Sequence, residues 1–265
     1  MKTIFITGAS TGLGKATAKL FAARGWKVIA TMRNPEKEKE LNLMDNIILL
    51  PLDVTDLAQV KETTQKALAS GSIDVVFNNA GYGLMGPLES TSDEQLVRQL
   101  NTNILGVIRV TQAFIPYFRE KQNGLFISTT SIGGFITFPF SSVYHATKWA
   151  LEGWSESMAF ELKKNGIGIK TVSPGGIKTD FLSRSADMSS HPAYQKWVNK
   201  MFSGISEDHF TPAEQIAEVV YEAATDGKDK LRYLAGEDAK ALYAQRLEMG
   251  DEAFRKQMEQ TLLGN

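Results

Sequence analysis

Apolar residues come in short continuous runs along this chain, separated by longer stretches in which they recur at helical spacing, and the two kinds of segment alternate. Residues 2–7, KTIFIT, predict a short buried strand; a glycine turn at 8–14 breaks it, and a helix is expected over 12–24. Further strands are predicted at 27–32, 47–50, 73–77, 125–128 and 167–172, with helices at 57–69, 92–118 and 142–165. Strands alternating with helices imply right-handed crossovers and a parallel sheet covered on both faces. The expected fold class is α/β, a doubly wound parallel sheet in a single domain.

After Pro174 the pattern changes. The sequence predicts an irregular segment to about residue 211, in which Phe181, Leu182, Met188, Tyr194, Trp197, Met201, Phe202 and Phe210 are scattered. A structureless loop this long in a compact domain is usually functional, so 181–211 is expected to be a mobile substrate loop. Thr211 followed by Pro212 marks a helix start, the helix running to about 224, and a last strand at 231–234 precedes a charged helical tail. The division expected is a main body over 1–236 and a tail, 237–265, of the same domain.

Composition narrows the chemistry. The chain has 265 residues, enough for one domain with a large core, and 29 basic against 30 acidic residues leave a net charge of −1. That balance gives no electrostatic reason to expect nucleic acid or an anionic membrane as partner, which leaves a small molecule. No cysteine is present, which removes disulfides, thiolate nucleophiles and cysteine-based metal sites, and His145, His191 and His209 are not paired at a metal-ligand spacing, so no metal is expected. The apolar run in MKTIFITGAS is too short for a signal segment or a membrane span, and the expectation is a soluble, cytoplasmic protein.

Two stretches carry candidate chemistry. Thr7 to Gly14, TGASTGLG, follows a strand and opens a helix, where backbone amides receive a pyrophosphate and glycines let it approach closely. Its Gly-x-x-x-Gly-x-Gly spacing departs from the Gly-x-Gly-x-x-Gly fingerprint. Where the second strand ends, Met32 stands in place of a ribose-binding acid and Arg33 follows, which favours NADP(H) over NAD(H). Asp53 and the run Asn78-Asn79-Ala80-Gly81 lie at strand C-termini, the edge where such sheets bind ligands. In the second stretch, SIGGFITFPFSSVYHATK, Tyr144 and Lys148 are four apart and share a helix face, and Ser131 comes from the end of the preceding strand. A neighbouring ammonium lowers a phenol's pKa toward the range that general acid/base catalysis needs. Tyr117 and Lys121 have the same spacing, but thirteen positions before Tyr117 is Ile104, whereas the same step from Tyr144 reaches Ser131.

Taken together, TGASTGLG, Asp53, NNAG at 78–81, Asn103, Ser131, Tyr144-x-x-x-Lys148 and Pro174-Gly175 with Thr179 occur in the order and spacing of the short-chain dehydrogenase/reductase family, which the chain resembles over roughly residues 3–236. The stretch around Met32 and Arg33 is similar to the steroid and retinol dehydrogenase-like branch, which prefers NADP(H). The resemblance implies a Rossmann-type oxidoreductase acting on a carbonyl/alcohol pair. It implies that Tyr144 is the general acid/base, that Lys148 lowers its pKa and holds the nicotinamide ribose, that Ser131 binds the substrate oxygen, and that Asn103 steadies a water. Gly8, Ser10, Gly12, Leu13 and Gly14 would line the pyrophosphate, Asp53 and Val54 the adenine, and Asn79, Ala80 and Gly81 the adenosine side. Pro174, Gly175, Ile177 and Thr179 would hold the nicotinamide end, and two copies or four would associate through the helices at about 92–118 and 142–165. His145, about 100° round the helix from Tyr144, reads as a surface or packing residue. Leu84, Met85, Phe135, Phe138 and Phe140 suggest an apolar substrate wall. A catalytically silent NADP(H)-sensing regulator is the alternative, and a sugar-nucleotide epimerase on the same fold is disfavoured by chain length and glycine spacing.

Overall fold

A computed structural model describes residues 1–178, 186–203 and 210–264. β1 (Thr3–Ile6) leads through the glycine turn into α1 (Gly12–Ala23), followed by β2 (Lys27–Met32), β3 (Ile47–Pro51), α2 (Leu57–Ala69), β4 (Val75–Asn78) and a short β5 (Gly83–Met85). α3 (Asp93–Leu100) runs through a π-helical turn at Asn101–Leu105 into α4 (Gly106–Lys121), and then come β6 (Gly124–Thr129), α5 (Ser142–Leu162) and β7 (Ile167–Pro174). The remainder comprises β8 (Ile177–Lys178), β9 (Ala186–Met188), α6 (Gln195–Ser203), β10 (Thr211–Pro212), α7 (Ala213–Thr225), β11 (Arg232–Ala235), α8 (Glu237–Met249) and α9 (Asp251–Leu262).

Seven strands form one sheet in the order β11-β7-β6-β4-β1-β2-β3, every neighbouring pair parallel. Alternation along each strand sends side chains to opposite faces. Ile4 and Ile6 pack with Phe21 of α1 and Val220 of α7, while Phe5 packs with Val110, Phe114 and Phe118 of α4 and Val60 of α2. Helices thus bury both faces, which is why these strands read as continuous apolar runs. The chain moves outward from β1 to β3 and returns to β4 beside β1, and the gap between the diverging connections opens at the strands' C-terminal ends.

Three elements differ from the sequence expectation. The helix expected over 92–118 is interrupted by the π-helical turn, which carries Asn103 into the interior at 1% exposure. Such turns insert one residue into the helical ladder and re-aim what they carry, and no sequence period marks them. The segment expected to be irregular contains α6 and β9, and β9 pairs in parallel with β5. It is pinned there by Ser189 N–H to the Met85 carbonyl (2.8 Å), Gln95 to Asp187 (2.8 Å) and an Arg98–Asp187 ion pair. Pro212 is the N-cap of α7 and not its first residue. The tail folds back on its own body, where Ala239 and Phe254 are buried with Ile132 and Ile136. Thr179, Phe181, Leu182 and His209 lie outside the described residues. Among the described residues no helix is long and apolar enough to cross a membrane.

Candidate active site

A cleft of about 860 Å³ opens at the switch point. The glycine turn forms one end. Gly8 and Gly12 adopt φ of +66° and +53°, where a side chain is strained, and a Cβ on Gly14 would lie 2.3 Å from the Gly8 carbonyl oxygen. The turn is therefore folded tightly enough to present the start of α1 to the cleft. Thr11 makes no side-chain cap bond there, and the first turn of α1 holds no acidic residue, so the positive end of the helix faces the cleft without a competing anion. Ser10, Gly12 and Leu13 line this part with Gly8, whereas Gly14 stands behind it as a packing residue.

Further along the same end, Arg33, Asp53, Val54, Asn79, Ala80 and Gly81 line the wall. Arg33 is exposed and Val54 buried. The Asp53 carboxylate accepts from the backbone N–H and hydroxyl of Thr55 (2.9 and 2.7 Å), an Asx-type turn that turns the chain at the end of β3. This donor set fits a dinucleotide: helix-end amides for a pyrophosphate, the exposed Arg33 side chain for a further phosphate, and an apolar floor from Leu13, Met32 and Val54 for a base.

At the other end, β6 delivers Ser131 and the first turn of α5 delivers Tyr144, with Lys148 one turn on. Ser131 Oγ accepts from Gly133 N–H (3.0 Å), and the serine side chain hydrogen-bonds the Tyr144 phenol. Tyr144 is half-buried, and its pKa is raised: burial disfavours the phenolate, and the Ser131 hydrogen bond opposes that less strongly. Sequence reasoning expected a lowered value from the ammonium alone; burial dominates, and Ser131 acts as a lowering partner. Lys148 Nζ lies 5.6 Å from the centre of the tyrosine ring and donates to the Thr129 carbonyl (2.9 Å). Burial pushes its pKa down to about 8, with Glu152 acting in the opposite sense. Hydrogen bonds tie this end to the glycine turn: Thr129 Oγ1 donates to Asn79 Oδ1 (3.2 Å), and Asn79 Nδ2 donates to the Gly8 carbonyl (3.1 Å).

Asn103 is not on the cleft wall. Its amide pairs with both backbone groups of Tyr82 (3.1 and 2.9 Å) and donates to Thr147 Oγ1 (3.3 Å), bracing the strand end behind the cleft. His145 is a buried packing residue. Nε2 accepts from Phe138 N–H (2.9 Å), so Nδ1 carries the proton toward the Gly133 carbonyl (2.8 Å), and burial lowers its pKa. It thereby fixes the loop between Ser131 and Tyr144. Pro174, Gly175 and Ile177 line the far side, and Gly176 N–H is held by Asp238 of α8 (2.7 Å).

Apolar side chains line part of the cleft, though with a different membership from the expected one. Met85, Phe138, Met201 and Phe210 line it, joined by Tyr82, Leu242 and Leu262, which the sequence did not single out. Leu84 is buried behind the wall, Phe135 turns away to pack at a tilt against Tyr243 (5.0 Å), and Phe140 packs edge-on against Tyr194 (6.2 Å). Leu242 and Leu262 belong to the tail, and only the folding back of α8 and α9 could reveal them. Glu152 was legible as one more four-residue step beyond Lys148. Among the described residues no group of acids and histidines forms a metal site.

The family described as short chain dehydrogenase matches residues 2–190. An uncharacterized oxidoreductase of Schizosaccharomyces pombe is 37% identical over 234 residues, 86% of this chain and 99% of the relative. A 3-ketodihydrosphingosine reductase of Bacteroides thetaiotaomicron is 37% identical over 179 residues, 67% of this chain and 65% of that protein. Among solved structures, a short-chain dehydrogenase from Streptomyces avermitilis matches with a TM-score of 0.86 at 32% identity, over 98% of this chain and 94% of its own. ElxO with NADP bound matches with a TM-score of 0.76 at 29% identity, over 91% of this chain and 99% of its own.

Proposed function

The chain belongs to the short-chain dehydrogenase family of oxidoreductases, and from that premise we propose that it is an NADP(H)-dependent enzyme interconverting a carbonyl and a secondary alcohol on an apolar small molecule. The observation that carries this reading is the convergence of Ser131, Tyr144 and Lys148 on one wall of a cleft whose other end is the glycine turn. The cofactor, when bound, supplies or accepts the hydride. Gly8, Ser10, Gly12 and Leu13 would hold its pyrophosphate and Arg33 the 2'-phosphate; Asp53, Val54, Asn79, Ala80 and Gly81 would hold its adenosine. Lys148, Pro174, Gly175 and Ile177 would hold the nicotinamide end. Thr179 is proposed there on the family pattern alone.

Tyr144 donates its proton to the substrate oxygen during reduction. Burial keeps the phenol protonated, and the hydrogen bond from Ser131 works in the opposite sense, toward the range that acid/base exchange needs. Ser131, anchored by Gly133 N–H, orients the phenol and shares the substrate oxygen. Gly14 and Asn103 act one layer back, the first by allowing the turn to close and the second by bracing Tyr82. The apolar side chains of Met85, Phe138, Met201, Phe210, Leu242 and Leu262 support an apolar ketone, and the similar Bacteroides enzyme is named a 3-ketodihydrosphingosine reductase. NADP(H) over NAD(H) rests on Arg33 and on NADP in ElxO.

Association of two or four copies is part of the same proposal. Val97, Leu100 and Leu105 on the α3–α4 segment and Trp149 and Phe160 on α5 are all at least 40% exposed, an apolar surface of the kind that pairs copies. Sedimentation at the monomer mass would overturn this part. The enzymatic reading is tested with Tyr144→Phe: reduction of carbonyl compounds, followed at the reduced-nicotinamide absorbance, should fall by about 10²–10⁴ while NADPH still binds. Near-normal turnover in that variant would refute it.

A further inference from the structure

The turn that follows β7 is gripped from the tail. Asp238, in the first turn of α8, accepts from the Gly176 N–H (2.7 Å), and a Cβ on Gly175 would stand 2.0 Å from the same carboxylate oxygen. We infer that Asp238 is a positioning residue: through this one bond it sets the Gly175–Gly176 peptide on the cleft wall for the nicotinamide end of the cofactor. The inference rests on the proposed reading of Pro174, Gly175 and Ile177 as that end of the site.

Backbone partners hold the neighbouring groups of the turn. Gly175 N–H donates to the Ala235 carbonyl at the end of β11 (3.1 Å), and the Gly176 carbonyl accepts from Thr211 N–H at the start of β10 (2.8 Å). For the Gly176 N–H the fold uses a side chain instead. Across a trans peptide the N–H and the carbonyl point in opposite directions, so fixing the Gly176 N–H also fixes where the Gly175 carbonyl points. The turn has little room to settle elsewhere, because a Cβ on Gly176 would stand 2.3 Å from the Phe210 ring. Asp238, Gly175, Gly176 and Phe210 all line the cleft.

Asp238 has no second task among the described residues. Its other oxygen, Oδ1, is buried without a hydrogen-bond partner, so the carboxylate is committed to the Gly176 N–H. The positive end of α8 favours an acid at this position, and the next residue, Ala239, is buried with Ile132 and Ile136 of the loop that follows Ser131. The helix start is thereby seated, and the carboxylate with it. A bond that only closed a loop would matter equally to every ligand of the cleft. One that sets this peptide matters to the nicotinamide end and not to the adenosine end, since β7 and β11 form one edge of the sheet, whereas Gly8, Arg33 and Asp53 follow β1, β2 and β3 on the other side.

The test compares two ligands by isothermal titration calorimetry on the full chain: NADPH, and 2'-phospho-ADP-ribose, the same nucleotide without its nicotinamide. Asp238→Ala should weaken NADPH about tenfold, the loss of one charge-assisted hydrogen bond, and leave the fragment within about twofold. Asp238→Asn, which keeps an acceptor for the Gly176 N–H, should stay within about threefold of the unaltered protein for both ligands. Unchanged NADPH affinity in Asp238→Ala, equal losses for the two ligands, or an asparagine variant as impaired as the alanine one would overturn the inference. Should Asp238→Ala not fold, Asp238→Glu decides: it keeps the charge but sets the carboxylate one methylene further out, so NADPH should again weaken relative to the fragment, and an unshifted ratio would count against the inference. Absence of NADPH binding in the unaltered protein would instead refute the proposed function.

Discussion

Gly14→Ala tests whether the glycine turn is a phosphate cradle or only a tight connection. Gly14 sits in the first turn of α1, where alanine is otherwise the better helix former, so a surface position of this kind would gain from the change. Here the added methyl would stand 2.3 Å from the Gly8 carbonyl oxygen and 2.5 Å from Asn79 Nδ2. Ordinary contact is about 3.5 Å, so the overlap is roughly 1 Å against a backbone atom that cannot swing aside. Relief requires α1 to back away from the Gly8 turn and Asn79 to release that carbonyl. Overpacking of this size costs about 1–3 kcal/mol in stability. At about 2–4 °C per kcal/mol for a chain of this length, the melting temperature should fall by several degrees. If the turn's geometry is what binds the pyrophosphate, NADPH affinity should fall as well, about tenfold or more for each 1.4 kcal/mol of misfit. Differential scanning fluorimetry and NADPH fluorescence titration read the two effects separately. A variant with the melting temperature and the NADPH affinity of the unaltered protein would refute the packing argument; one that is destabilised yet binds NADPH unchanged would refute the cradle.

Arg33→Ala should weaken NADPH about tenfold to hundredfold, the size of a lost charge-assisted hydrogen bond, and leave NADH nearly untouched; equal losses for both would refute the phosphate assignment. A second prediction concerns the buried pair Lys170–Asp226, 2.6 Å apart with both side chains 8% exposed, where Asp226 also accepts from the Tyr233 hydroxyl (2.7 Å). The folded-state pKa of Asp226 is held down to about 2, against 3.8 in its ordinary state. The group therefore adds stability that is complete above about pH 4 and is lost as pH falls toward 2, and Asp226→Asn should flatten that part of the acid-denaturation curve. Lys170→Met, which removes the cation from a carboxylate still held by the Tyr233 hydroxyl and the Lys228 N–H, should cost about 1–3 kcal/mol in urea denaturation; no measurable loss would refute the pairing.

The chain's local patterns determined the architecture. Runs such as KTIFIT and the helical spacing over 57–69 agree with β1 and α2 because a parallel strand buried on both faces must be apolar throughout, and a covering helix only on one stripe. Ser131, Tyr144 and Lys148 were also legible, since two of them share a helix face by spacing alone and the third ends a strand. Tertiary structure decided the rest. The fate of the Tyr144 phenol depends on burial, which no spacing encodes, and burial outweighs the hydrogen bond from Ser131. The π-helical turn that withdraws Asn103 from the cleft leaves no periodic signal, and the choice between Phe138, which lines the cleft, and Phe135, which turns away, was made by His145 and Tyr243. Leu242 and Leu262 reach the cleft only because α8 and α9 fold back on the body. Sequence specifies what neighbours within a turn or a strand share; contacts between residues a hundred or more positions apart depend on how whole elements pack.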